Sequence, residues 1–339
     1  MTSALATAPP KQRASIPTPL AHLPVLERET VAALAPQPDG RFLDGTFGGG
    51  GHTLALLAAS APSGQVVALD VDPAALPRAA SLAADPLVGD RITFIHGNFG
   101  DLADLRQRYQ WPAFDGILFD LGLSSFQLDD PARGFAFRFE GPLDMRFNSD
   151  AGVSAAELVR DLDEASLADV IRRFGEDHRA QAIARAIVRE RARSPITTTT
   201  RLAEIVSGAV GGRRGAAIHP ATRTFQALRI EVNRELDVLE RGVVAAIHAL
   251  APGGRLVTIA FHSLEDRLVK RVIERASASC VCPPELPICI CATRPLLRRI
   301  GKPIRPDRAE QAANPRARSA IMRVAERTDV PVGDGVSLP

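Results

Sequence analysis

Lysine is nearly missing from this chain of 339 residues: it occurs only at Lys11, Lys270 and Lys302. Arginine carries the rest of the positive charge, and the formal net charge is only +2. Such a balance points to no partner by itself, and an arginine bias reflects coding composition as readily as RNA binding. Only clustering of arginine is informative. Long apolar runs are also missing, and none approaches a membrane span. The first twenty residues are rich in Ala, Pro, Ser and Thr and lack the apolar core of a secretion signal, so a flexible tail and a cytoplasmic setting are expected. Cysteine is scarce and confined: all four fall between Cys280 and Cys291. A disulfide-stapled secreted fold spreads its cysteines differently. What remains is an ordinary soluble composition, 45% apolar, in a chain longer than one core usually organises.

The informative stretch is Arg41 to His52, RFLDGTFGGGGH. Phe42 and Leu43 read as a buried strand end, broken by Asp44 and Gly45. Gly48 to Gly51 follow, and Thr53 to Ala58 reads as a helix. A strand, a glycine loop and a helix let backbone approach a ligand where a Cβ would collide. Gly-x-Gly-x-x-Gly fails here, because from Gly48 the third glycine falls on Thr53. An acid followed by glycines, Asp44-x-x-x-Gly48-x-Gly50, fits an S-adenosylmethionine site better. A carboxylate at the loop entrance repels a pyrophosphate and attracts an ammonium group.

Later strands repeat the placement of acids. Gln65 to Asp70 is a β-branched run ending in Asp70, nineteen residues beyond Gly51. An acid there grips ribose hydroxyls in nucleoside-binding α/β folds. Asp72 is better placed to cap the following helix. Arg91 to Ile95 reads as a third strand, followed by Asn98 and Phe99, which suit an adenine edge and face. Phe114 to Asp120 reads as a fourth, running into Leu121-Gly122-Leu123-Ser124-Ser125. Ligands of an open parallel sheet lie past the strand C-termini, so Asp44, Asp70, Phe99 and Asp120 are expected on one edge.

Six of the fourteen phenylalanines lie between Phe119 and Phe147. Around Phe135, Phe137 and Phe139 this suits an aromatic loop beside arginines such as Arg138, which can stack a base or serve as a satellite core. From Ser154 to about Ile218 the pattern is helical: a capping box at Ser154-x-x-Glu157, a helix opened by Ser166, then 180–193 and 200–210. His219 to Arg229 runs into one long helix ending near Leu250. Its Arg223 and Arg229 are candidates for phosphate contact. Arg255 to Phe261 is a fifth strand, and Ser263 with Asp266 is a capping pair. Lys302 to Ile304 and Ser319 to Ala325 read as late strands. Cys280, Cys282, Cys289 and Cys291 form two tight pairs that can hold zinc, although a spacing of one residue is tighter than the usual two to four.

Taken together, HLPVLERE, DGTFGGGGH, LDVDP, DGILFDLGLSS with QLDD, RGFAF, GPLDMR, HPATRTFQALRI, APGGRL, FHSLEDR and NPRARS resemble the bacterial 16S ribosomal RNA cytosine-N4 methyltransferases of the MraW type, over His22 to about Arg327. The resemblance implies an α/β fold: a class I, Rossmann-like S-adenosylmethionine-dependent methyltransferase sheet with an inserted all-helical subdomain. The expected boundaries are a tail over 1–21, the methyltransferase domain over 22–130 and 219–327, the aromatic loop and helical insert over 131–218, and a tail over 328–339.

It further implies that the donor is held by Gly50, Gly51, His52, Asp70, Phe99, Asp120 and Gln127. The implied substrate is a decoding-site cytosine of 16S rRNA in the small ribosomal subunit. His52 and Gln127 rest on the resemblance alone. The amino nitrogen of cytosine is a weak nucleophile, so catalysis needs alignment and an acceptor for its hydrogens. Asp120, the Leu121 carbonyl, Ser124 and His262 are candidates, and Phe135, Arg138, Arg223 and Arg229 are candidates for RNA contact. A DNA amino-methyltransferase and a non-catalytic RNA-binding assembly factor are the alternatives. The sequence leaves the oligomeric state and the need for an assembled subunit open.

Overall fold

The computed structural model describes residues 24–212, 219–280, 282, 291 and 293–331. Seven strands form one sheet: β1 (Arg41–Asp44), β2 (Gln65–Asp70), β3 (Ile92–His96), β4 (Phe114–Asp120), β5 (Leu250–Ala260), β6 (Leu297–Ile304) and β7 (Ile321–Arg327). Their order is β3-β2-β1-β4-β5-β7-β6. The first five are parallel, and β7 runs antiparallel between β5 and β6. This is the class I methyltransferase sheet. Strand order reverses between β1 and β4, where a crevice opens past the strand C-termini.

Helices cover both faces, so the central strands are apolar on both sides. They are α1 (Glu27–Leu34), α2 (Gly51–Ala59), α3 (Leu76–Ala83), α4 (Leu102–Tyr109) and the single-turn α5 (Ser125–Asp129). Helices α6 (Ala155–Asp161), α7 (Glu164–Gly175), α8 (Ala180–Arg191) and α9 (Thr199–Ala209) follow, then α10 (Ala221–Asn233), α11 (Glu235–Ala249), α12 (Ser263–Ala276) and α13 (Arg308–Ala313). Side chains alternate across a strand. Phe42, Leu118 and Val257 therefore pack with α1 and α2, while Leu43, Ile117 and Leu256 pack with α11 and α12. A third core joins Phe135, Leu143 and Met145 to α6–α9, and it also draws in Ala221, Phe225 and Leu228 of α10.

Three local expectations change. The helix expected from His219 to Leu250 is two helices, broken at Arg234, which is left-handed at φ 48°. The break turns Asn233 and Glu235 toward the crevice. Asp163, not Ser166, caps α7; its side chain accepts from the Ser166 N–H. At α12 the cap is His262 with Glu265, not Ser263 with Asp266. Asp266 is instead held by Arg323 of β7 at 2.7 and 2.9 Å. The 328–339 tail is described only to 331, and the 1–21 tail lies outside the described residues.

Candidate active site

Asp44 closes β1 fully buried. It accepts from the Thr53 hydroxyl at 2.7 Å and the Thr46 N–H at 3.1 Å, fastening the glycine loop to α2. Thr46 in turn accepts from the Asp120 N–H at 2.7 Å, so the ends of β1 and β4 are locked together. Gly50 is the N-cap of α2 at φ 82°, and a Cβ there would meet the Phe47 ring at 2.9 Å. It shapes the loop from behind and does not line the crevice, whereas Gly48, Gly49, Gly51 and His52 do.

His52 is buried, with Nε2 3.5 Å from Asp120 Oδ2, an ion-pair distance rather than a hydrogen bond. Both its ring nitrogens and Asp120 Oδ1 are buried with no hydrogen-bond partner among the described residues. Burial pushes the imidazole pKa down, but Asp120 and Asp44 outweigh it and the net direction is up. Burial raises the Asp44 carboxyl, against the pull of His52.

Asp70 ends β2. It accepts from the Gly48 N–H at 2.7 Å and the Asp72 N–H at 2.9 Å. Burial pushes its carboxyl up to about 6, against those two hydrogen bonds. Phe99 lines the crevice with its ring 4.7 Å from that of Phe119. Gly242 of α11 backs it, since a Cβ there would lie 2.4 Å from the ring. Asn98 also lines the crevice but spends its carbonyl on the Gly100 N–H.

Gln127 is committed at both ends: Oε1 accepts from the Ser124 N–H at 3.1 Å, and Nε2 donates to Asp72 at 2.9 Å. It thus shapes the DLGLSS turn while lining the crevice. Ser124 lines the crevice too, and its Oγ accepts from the Gln127 N–H. Asp72 is a hub. Besides Gln127 it caps its own helix through the Ala74 N–H, as expected, and takes Arg133 at 2.6 Å. Arg133 also donates to the Arg146 and Phe147 carbonyls.

The same crevice is also lined by Gly122, Leu123, Phe147, Phe261, Glu235 and Glu265. Asn233 pins it, accepting from the Phe147 N–H and donating to the Met145 carbonyl. Sequence reasoning missed Phe147, Glu235 and Glu265. The spacing His262-x-x-Glu265 is a capping-box signal that singles out Glu265.

Several expected positions move. Arg229 does not face phosphate: it is mostly buried in a two-pronged ion pair with Glu235 at 2.7 and 2.9 Å. Phe135 lies in the helical core, so its ring is not a stacking platform. Phe137 packs on Phe225 and His219. Arg223 is exposed and caps α7 through the Glu176 carbonyl, away from the crevice. Arg138 is exposed and paired with Asp129, which Arg316 of the NPRARS turn also grips. His262 does not line the crevice, because its ring is turned onto Glu265.

Sulfur atoms of Cys280, Cys282 and Cys291 lie within 4.8 Å of one another, Cys280 and Cys291 at 3.8 Å. Cys289 lies outside the described residues. No described helix is long and apolar enough to cross a membrane.

The sheet order, the glycine turn after β1 and the acids closing β2 and β4 define a class I methyltransferase. The unpartnered His52 and Asp120 atoms fit a donor with a charged amino-acid end. More particularly, the chain belongs to the MraW methylase family, whose model matches residues 19–328. It is 54% identical over 320 residues to a "Ribosomal RNA small subunit methyltransferase H" of Thermomicrobium roseum, covering 94% of this chain and 97% of that one. Relatives of the same name from Trichlorobacter lovleyi and Dehalococcoides mccartyi are each 48% identical, over 90% and 93% of this chain and 98% and 88% of theirs.

Proposed function

We propose that this protein transfers a methyl group from S-adenosylmethionine to the exocyclic N4 amine of a decoding-site cytosine of 16S rRNA, in the small ribosomal subunit and in the cytoplasm. The observation that carries this is one crevice lined by two chemically different sets of residues: the glycine loop with Asp70 and Asp120, and the aromatic Phe147 and Phe261 with Glu235 and Glu265. The names of the relatives support ribosomal RNA as the substrate.

The donor, when bound, supplies a methyl group made electrophilic by its sulfonium. Asp70 holds the ribose hydroxyls as hydrogen-bond acceptor, and Phe99 covers the adenine face. Gly51 and His52 flank the amino-acid end, where His52 offers an imidazole to a carboxylate and Asp120 a carboxylate to an ammonium. Gly50 and Gln127 serve by shaping the loop and the DLGLSS turn. Leu123, Phe147 and Phe261 exclude water from the crevice, which strengthens every charge interaction there.

The test is transfer of label from S-adenosylmethionine to small subunits of a strain lacking the modification. Label on the amine of a single decoding-site cytosine is expected. Donor binding without transfer to subunits or free rRNA would redirect the reading to DNA or another RNA. No donor binding at all would leave an assembly factor.

A further inference from the structure

Two carboxylates that donor binding leaves unused, Glu235 and Glu265, line the crevice. One carboxylate oxygen of Glu235, one of Glu265 and a ring nitrogen of His262 all lie within 4.8 Å of one another. Arg229 saturates Glu235 with two hydrogen bonds. Glu265 Oε2 accepts from the Phe261 and His262 N–H groups at 2.8 and 3.2 Å. His262 Nδ1 accepts from the Glu265 N–H at 3.4 Å, and its Nε2 lies at an ion-pair distance of 3.1 Å from Glu265 Oε1. With Glu235 already paired to Arg229, Glu265 presents a buried carboxylate at a crevice wall. Burial raises the Glu265 carboxyl, but the His262 ring, Arg229 and the Phe261 N–H outweigh it and the net direction is down, so the carboxylate at that wall is ionised.

We propose that Glu265 is the acceptor for the target base's amine: it selects an amine-bearing pyrimidine and takes the proton that methyl transfer releases. This deepens the methyl-transfer reading above and rests on it. In the ring-conjugated amine the nitrogen is weakly nucleophilic. A carboxylate accepting one N–H raises its electron density and stabilises the positive charge that develops on it. The N4 lone pair forms the bond to the methyl carbon while the methyl–sulfur bond breaks and its electron pair stays on sulfur. The N4 hydrogen then leaves as a proton to the Glu265 carboxylate, and the N–H electron pair returns to nitrogen. His262 and Arg229 with Glu235 are positioning residues: the first orients the acceptor, and the ion pair walls it without competing for the amine. Uridine presents a carbonyl oxygen at the same place, and two facing acceptors repel.

The experiment compares the wild type with Glu265→Gln, which keeps the side-chain length and one acceptor for the capping N–H groups. Three quantities are read on folded protein: S-adenosylmethionine affinity, single-turnover transfer to small subunits, and binding of cytidine and uridine to protein saturated with S-adenosylhomocysteine. The expected result is donor affinity within about twofold, transfer slower by about 100-fold, and loss of at least a roughly tenfold wild-type preference for cytidine. Transfer by Glu265→Gln within about threefold of wild type overturns the proposal. So does a wild type that binds uridine as well as cytidine, which needs no variant. If wild type transfers nothing to subunits yet keeps a Glu265-dependent cytidine preference, the rRNA reading fails and the amine seat stands.

Discussion

Donor binding should weaken sharply as pH falls from 7 to 5, and Asp70 is the reason. Its carboxyl is pushed up to about 6 by burial, although the Asp72 and Gly48 N–H groups pull it down and Arg78 lies nearby. The ribose contact proposed for this group needs its ionised form. With a pKa of about 6, nine molecules in ten are ionised at pH 7 and about one in ten at pH 5. The dissociation constant should therefore rise about tenfold. Asp70→Asn imitates the protonated acid and should show the weakened affinity at pH 7, with no further change at pH 5. The sign for folding is opposite. A carboxyl whose folded pKa lies above its unfolded value costs nothing below pH 3.8 and its full penalty, roughly 3 kcal/mol, above pH 6. Titration calorimetry with S-adenosylmethionine at pH 5, 6 and 7 decides. A flat dissociation constant, or wild-type affinity in Asp70→Asn, would refute the ribose role.

Asp120→Ala should weaken donor affinity about 30-fold, the worth of one charged hydrogen bond; turnover lost with donor affinity intact would instead put Asp120 on the substrate. Arg133→Met strands the buried Asp72 carboxylate and two carbonyls, and should cost about 3 kcal/mol in urea unfolding. A loss within 0.5 kcal/mol, roughly the surface-mutation range, would show that the hub carries no load. Purified protein should contain far less than one zinc per chain, since the pairs Cys280–Cys282 and Cys289–Cys291 are too tightly spaced for the common ligand sets. One dialysis-resistant equivalent by mass spectrometry would overturn that.

Strands were the legible part of the chain. Gln65–Asp70 and Phe114–Asp120 are bounded in the sequence by the same residues as in the structure, because an apolar run buried on both faces leaves little freedom in where it ends. The acids at those ends follow directly. Helix junctions were not legible. Nothing in Asn233-Arg234-Glu235 demands a left-handed arginine, and only the packing of α10 on α7 and of α11 on the sheet imposes it. The candidate site divides the same way. Residues fixed by β-strand ends were readable, whereas Phe147, Glu235 and Glu265 arrive from elements whose meeting depends on that break. Arg229 and Arg223 share a basic-looking helix in the sequence, and only burial separates an ion-pair residue from an exposed one.

The Asp72 hub has a consequence for cooperativity. It joins the second strand, the DLGLSS turn and, through Arg133, the backbone at Arg146 and Phe147. Asn233 then fastens that backbone to α10, whose other residues belong to the helical core. Helices α6–α9 are therefore expected to melt together with the sheet rather than first. Heating should give one calorimetric transition for the whole chain, and saturating donor should raise the melting point of the insert as much as that of the sheet.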